Sequence, residues 1–230
     1  MPEFVTLTID GAMVRAPKGA TVLDTALELG ICIPHLCHMP NVTAIGACRL
    51  CIVEVVKHGR AKVTASCTLD VQEGMAVRTN SEKIHRLRRN IAELLVAEAP
   101  NSKAIQDLAA RCGVTEVRYP FRNRNCVLCG RCVRICSDMW QARALGFVGR
   151  GRERHVDFPF GTRPDFCKMC NSCIDLCPMT IIPCPRPMQP GEEYLCGLCG
   201  SQTSMASTVP ETCVQCSLGK GFQCSRAVPC

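Results

Sequence analysis

The chain has 230 residues, 27 lysines and arginines against 20 aspartates and glutamates, and 21 cysteines with only 4% aromatics. Such a cysteine density belongs to secreted disulfide scaffolds or to metal-binding proteins. Residues 1–17 show no basic segment leading into an apolar one, and no apolar run approaches the roughly 18 residues that cross a bilayer, so a cytoplasmic protein whose thiols hold metal is expected.

In residues 1–80, FVTLTID and AMVRA alternate apolar and polar side chains around Asp10-Gly11, which predicts a β-hairpin. Thr21 is placed to cap a helix through TVLDTALEL, with Gly30 just past its end. IVEVV and AKVTASC predict two further strands joined by His58-Gly59. Strand, strand, helix, strand, strand is the order of a ferredoxin-type β-grasp domain. Cys37, Cys48, Cys51 and Cys67 follow the spacing C-x10-C-x2-C-x15-C, with Gly46 expected to allow close backbone approach before the central pair. Four thiolates on loops around a small sheet suit a [2Fe–2S] cluster, and the same thiolates also suit zinc. Cys32 is expected as a small buried hydrophobe. The stretches IPHLCHMP, GACRLCIVEV and SCTLDVQEGMAV resemble the N-terminal domain of the large iron–sulfur subunit of complex I and its hydrogenase relatives.

Residues 81–115 read as a helical bridge. SEKIHRLRRNIAELLVAEA puts Ile84, Leu87, Ile91, Leu94 and Leu95 on one stripe behind an N-cap at Ser81, and SKAIQDLAARC predicts a shorter helix stopping at Gly113. The complex I resemblance implies a histidine and three cysteines here for a further [4Fe–4S] cluster. The stretch LLVAEAPNSKAIQDLAARCG offers only Cys112, so that cluster is expected to be missing and Cys112 to be core.

Residues 116–190 carry NCVLCGRCVRICS and FCKMCNSCIDLCP, each C-x2-C-x2-C-x3-C, the second followed by Pro178 and the first by Ser137. This resembles the bacterial two-[4Fe–4S] ferredoxin, in which the fourth cysteine of each run serves the other cluster. The resemblance implies one cluster on Cys126, Cys129, Cys132 and Cys177 and a second on Cys136, Cys167, Cys170 and Cys173. Between the runs, GFVGRGRERHVDFPFGTRP predicts a basic hairpin that includes His155.

Residues 191–230 follow a connection stiffened by Pro183, Pro185, Pro187 and Pro190, and are expected to be an irregular, cysteine-rich metal-binding tail. Cys196, Cys199, Cys213 and Cys216 form two C-x2-C pairs suited to a tetrahedral zinc site. TCVQCSLGKG also resembles the cluster-binding opening of molybdenum- or tungsten-dependent formate dehydrogenases, with Lys220 in the place of that family's third cysteine. That resemblance implies [4Fe–4S], and both metals stay open.

The expected class is therefore α+β, in four parts. The formal charge of +7 counts cysteines as neutral. Each oxidised cluster with four thiolates carries about −2, so the basic surplus reads as counter-charge rather than a nucleic-acid surface. No nucleotide-binding glycine loop, nucleophile–base pair or paired carboxylates stand out, so the chain itself is expected to be non-catalytic. The family resemblance implies an electron-transfer subunit between a flavin- and NAD(P)-binding partner and a catalytic subunit of hydrogenase or formate dehydrogenase type. An independent multi-cluster ferredoxin-like carrier and a redox-inactive zinc scaffold are the alternatives.

Overall fold

A computed structural model describes residues 3–57, 59–122, 124, 126–161, 164–165, 167–170, 172–179, 193–195 and 202–204. Asp10 and Gly11, both with positive φ (50° and 87°), close a two-residue turn between β1 (Phe4–Ile9) and β2 (Ala12–Pro17). This is the turn that matches strand twist, and it sets Ile9 opposite Ala12. α1 (Val22–Glu28) begins where the Thr21 hydroxyl accepts from the Asp24 N–H. It ends with Gly30 N–H on Leu27 O at 3.0 Å and Ile31 N–H on Ala26 O at 2.8 Å, a Schellman closure that uses glycine at φ 75°.

β3 (Ile52–Lys57) and β4 (Arg60–Ala65) form the expected second hairpin. A further strand that the sequence reading missed, β5 (Ala76–Arg78), lies between the two hairpins, parallel to β1 and antiparallel to β3. The sheet order is β2-β1-β5-β3-β4. Leu7, Ile9, Val22, Leu23, Ile33, Val53 and Val77 fill the core between this sheet and α1. Together they are the β-grasp arrangement of a mixed α+β domain.

α2 (Glu82–Glu98) has Ser81 as N-cap, accepting from the Ile84 N–H. The predicted stripe is rotated: Ile84, Arg88, Ala92, Glu93 and Ala97 are buried, while Leu94 is 48% exposed. Two charged side chains with built-in partners cause the rotation. Arg88 donates to Leu50 O at 3.1 Å and Ile52 O at 2.7 Å, and Glu93 accepts from Arg118 through its backbone N–H and guanidinium. Arg122 N–H to Ala97 O at 2.8 Å and Arg124 N–H to Glu98 O at 2.7 Å then lay the connector along the end of α2. That connector delivers the chain to the first ferredoxin-like run.

α3 (Lys103–Arg111) packs on α2, capped by Ser102, and the turn after it uses Gly113 at φ 74°. α4 (Arg131–Arg134) passes into one π-helical turn, Ile135–Met139. β6 (Gly146–Val148) and β7 (His155–Asp157) form the expected hairpin, and α5 (Cys167–Cys170) and α6 (Ser172–Asp175) follow. β8 (Glu193–Leu195) pairs with β9 (Gln202–Ser204), so the tail holds a strand pair where an irregular segment was expected. Among the described residues no helix is long and apolar enough to cross a membrane. Cys32 is exposed, not buried: it borders a cleft between the sheet domain and the helical bridge.

Candidate metal centres

The sheet domain brings its four cysteines together at the seam with the rest of the protein. Cys51 and Cys67 belong to the core beneath the sheet, whereas Cys37 and Cys48 belong to a second core with Leu36, Leu50, Ala92, Ile105 and Leu108. The thiols are in hydrogen-bond contact in the order Cys48, Cys37, Cys67, Cys51. The Cys48 and Cys67 thiols and the backbone N–H groups of Cys48 and Ala47 hold Cys37 well below the ordinary thiol range. Cys67, through its thiol and its backbone N–H, holds Cys51 below it too. Cys48 and Cys67, as the donors of these contacts, are pushed up. Four thiols in mutual contact beside backbone N–H donors are a set suited to thiolate ligation.

Backbone conformation explains the donors. Gly46 and Arg49 both have positive φ, 61° and 59°, turning N–H groups of the loop toward the thiols. A Cβ on Gly46 would meet nothing closer than 3.5 Å, so its φ, not crowding, calls for glycine. Among the described residues no three metal-ligating side chains converge as one ion would require. The row of four thiols with N–H donors has the donor chemistry of a two-iron cluster. His38 adjoins this site: its Nε2 lies 2.9 Å from Asp24, and its Nδ1 is buried without a hydrogen-bond partner.

The first ferredoxin-like run winds around Leu128 at φ 52° and Gly130 at φ 70°. The Leu128 N–H donates to Cys126 Sγ at 3.3 Å. Burial, then the charges of Cys129 and Cys177, push Cys132 up to about 12. Cys177 is thus brought to the thiols of Cys126, Cys129 and Cys132, and it packs in the same core as Cys129 and Met179. Cys173 has Cys136, Cys170 and Cys167 as its thiol neighbours and is pushed up, chiefly by burial. Cys136 accepts from the Ala144 N–H at 3.2 Å, and Cys170 lies 3.5 Å from the Ser172 hydroxyl. The geometry therefore groups the thiols across the two runs. Cys136 lies in the π-helical turn, and Cys177 follows α6.

Arginines that the sequence reading passed over fill the space between the sites. Arg88, Arg131 and Arg134 all donate to carbonyls of the Cys37–Ile52 segment. The Arg131 Nε is buried without a hydrogen-bond partner, a donor left for an acceptor such as a cluster sulfide. The predicted tail ligands Cys196, Cys199, Cys213 and Cys216, with Lys220, lie outside the described residues.

Residues 3–82 match the family described as 2Fe-2S iron-sulfur cluster binding domain. Among curated relatives, the NADPH-Fe(3+) oxidoreductase subunit alpha of Geobacter sulfurreducens is 32% identical over 201 aligned positions, covering 76% of this chain. The NADP-reducing hydrogenase subunit HndD of Solidesulfovibrio fructosivorans is 31% identical, covering 76%. The mitochondrial NADH-ubiquinone oxidoreductase 78 kDa subunit of Neurospora crassa is 31% identical, covering 77%. The matches span 23%, 35% and 27% of those relatives, so the chain corresponds to a quarter to a third of their length. A crystal structure of an NAD+-reducing [NiFe]-hydrogenase in the H2-reduced state superposes with TM-score 0.59 at 35% identity, covering 66% of this chain and 74% of that one.

Proposed function

Because this chain belongs to the family of iron–sulfur electron-transfer subunits shared by complex I and NAD(P)-linked hydrogenases, we propose that it relays single electrons within a multi-subunit oxidoreductase. Its partners on this reading are a flavin- and NAD(P)-binding subunit and a catalytic subunit of hydrogenase or formate dehydrogenase type. The chain divides into the [2Fe–2S] domain (1–80), a helical bridge (81–115), a two-[4Fe–4S] ferredoxin-like domain (116–190) and a metal-binding tail (191–230). Cys37, Cys48, Cys51 and Cys67 hold the [2Fe–2S] cluster. Cys126, Cys129, Cys132 and Cys177 hold one [4Fe–4S] cluster, and Cys136, Cys167, Cys170 and Cys173 hold the other. Cys196, Cys199, Cys213 and Cys216 form the tail site, for [4Fe–4S] or zinc.

The observation that carries this reading is the shared core in which Cys37 and Cys48 of the sheet domain meet Cys129 and Cys177 of the ferredoxin-like runs. Two cofactor loops packed in one core place their centres close together. Bound clusters take up and release one electron at a time without breaking protein bonds. The polypeptide supplies thiolates, N–H donors at the sulfurs, fixed spacing and exclusion of water. The tail cysteines would extend the series toward a second partner.

Purification of the native complex and assay of its partial reactions test this. Cys170→Ser is expected to stop reduction of the distal acceptor while flavin reduction by NADH or NADPH continues. Loss of both together would overturn the relay order. A stable monomer without a copurifying flavoprotein would favour the independent carrier.

A further inference from the structure

We propose that Arg134 is the coupling residue between the [2Fe–2S] site and the first [4Fe–4S] site, fixing their separation and supplying the bonded route between them. The inference rests on the cofactor assignment above. Arg134 is 5% exposed, although it is a guanidinium on a short helix of four residues. Its Nη2 donates to the backbone carbonyl of Cys37, and the same nitrogen reaches the carbonyl of Cys129 at 3.4 Å. Nη1 donates to Thr43 O at 2.7 Å, and Nε to Gly130 O at 3.2 Å. One rigid fork thus joins two loops separated by more than 90 residues of sequence. Both Cys37 and Cys129 are assigned as cluster ligands, one to each centre.

Two consequences follow from this placement. The first is geometric. A planar guanidinium with fixed donor directions does not let the loops slide without losing a bond, so the distance between centres is set by this side chain. The route from one ligand to the other runs through the Cys37 carbonyl, a single guanidinium nitrogen and the Cys129 carbonyl. The clusters that Cys37 and Cys129 would help to hold would supply one-electron exchange, from a reduced [2Fe–2S] to an oxidised [4Fe–4S] centre, with no proton or bond exchanged. The initial reductant is the partner's reduced flavin or, in the test, a photoreductant.

The second consequence is electrostatic. The hydrogen bonds of the Arg134 guanidinium go to neutral carbonyls and not to a carboxylate, so its field acts on both sites. Reduction adds negative charge to a centre, and a nearby buried cation favours that state. Arg131, one turn earlier, donates to His38 O at 3.1 Å and adds to the same field. Arg134 is therefore a positioning residue that also raises both reduction potentials together.

The test uses the full chain with its clusters, in wild-type, R134Q, R134K and R152Q forms. Midpoint potentials are read by EPR-monitored redox titration, and equilibration between centres is followed after flash photoreduction. R134Q is expected to lower the potentials of both centres and to slow equilibration at least tenfold. R134K, which keeps the charge and loses the fork, should recover the potentials while remaining slow. R152Q should match wild type. Wild-type potentials and rate in R134Q would overturn the proposal, as would a shift confined to one centre with an unchanged rate. If R134Q loses iron, R134K decides alone, and a wild-type rate there overturns the coupling. Absence of a [2Fe–2S] signal in wild-type protein would instead refute the cofactor assignment.

Discussion

Gly130 does two jobs at once. Its φ of 70° turns the first ferredoxin-like loop into α4, and a Cβ there would lie 3.0 Å from Phe147 and 3.1 Å from Ile45. Gly130→Ala is expected to cost about 1–3 kcal/mol from the left-handed backbone and the displaced side chains. The loss should be read as a lower urea midpoint with bleaching of the visible cluster absorbance. Arg88 illustrates a different dependence. Its guanidinium satisfies two carbonyls that flank Cys51, and Arg88→Met strands both. A loss of about 2–3 kcal/mol is expected, with the [2Fe–2S] circular dichroism affected before the [4Fe–4S] absorbance. The cysteine spacings were legible because they are short repeats along the chain, C-x2-C above all. The arginines were not, since a buried arginine and a solvated one look alike until the carbonyls it meets are known.

At the scale of elements, local signals read well wherever the cause was local. The Asp10-Gly11 turn, the Thr21 and Ser81 caps and the Gly30 stop all depend on residues a few positions apart. Ser81→Ala is expected to cost about 1 kcal/mol, seen as a lower thermal midpoint. β5 was missed because three residues, Ala-Val-Arg, carry too little alternation, and its place depends on β1 and β3 on either side. The face of α2 was misplaced because Glu93, only 2% exposed, is bought inward by Arg118 from 25 residues away. That guanidinium holds the Glu93 carboxyl below the usual carboxylate range. A lowered carboxylate stabilises the fold above its unfolded pKa and stops doing so only as pH falls through the lower folded value. Glu93→Gln should therefore lower the thermal midpoint by a constant amount between pH 8 and pH 5. A penalty that shrinks across that interval would contradict the pairing.

Across the described residues of the molecule, several of the cysteines pack in hydrophobic cores. Cys51 and Cys67 belong to the sheet core, Cys37, Cys48, Cys129 and Cys177 pack in the second, and Cys173 packs against Met39, Val42 and Ile135 in a third. Cofactor removal should therefore loosen the molecule unevenly. The sheet domain keeps a dry core of its own, including Leu7, Ile9, Val22 and Leu23 at 0–1% exposure. After iron chelation, amide hydrogen exchange is expected to rise strongly across residues 126–179 and modestly across β1, β3 and β5. Uniform loss of protection would show that the sheet depends on the metal as much as the ferredoxin-like runs do. This division was partly legible, since the cysteine runs marked two kinds of site, but the seams between them depend on residues far apart in sequence.

On the proposed assignment, the three described thiol sets hold one [2Fe–2S] and two [4Fe–4S] clusters. Iron, sulfide and zinc analysis of the intact protein, combined with EPR of the reduced state, tests it most directly. The expected result is a brown protein with about ten irons and as many sulfides per chain, or about fourteen of each if the tail also holds a [4Fe–4S] cluster, with separate [2Fe–2S] and interacting [4Fe–4S] signals. A colourless protein carrying zinc and no acid-labile sulfide would contradict it.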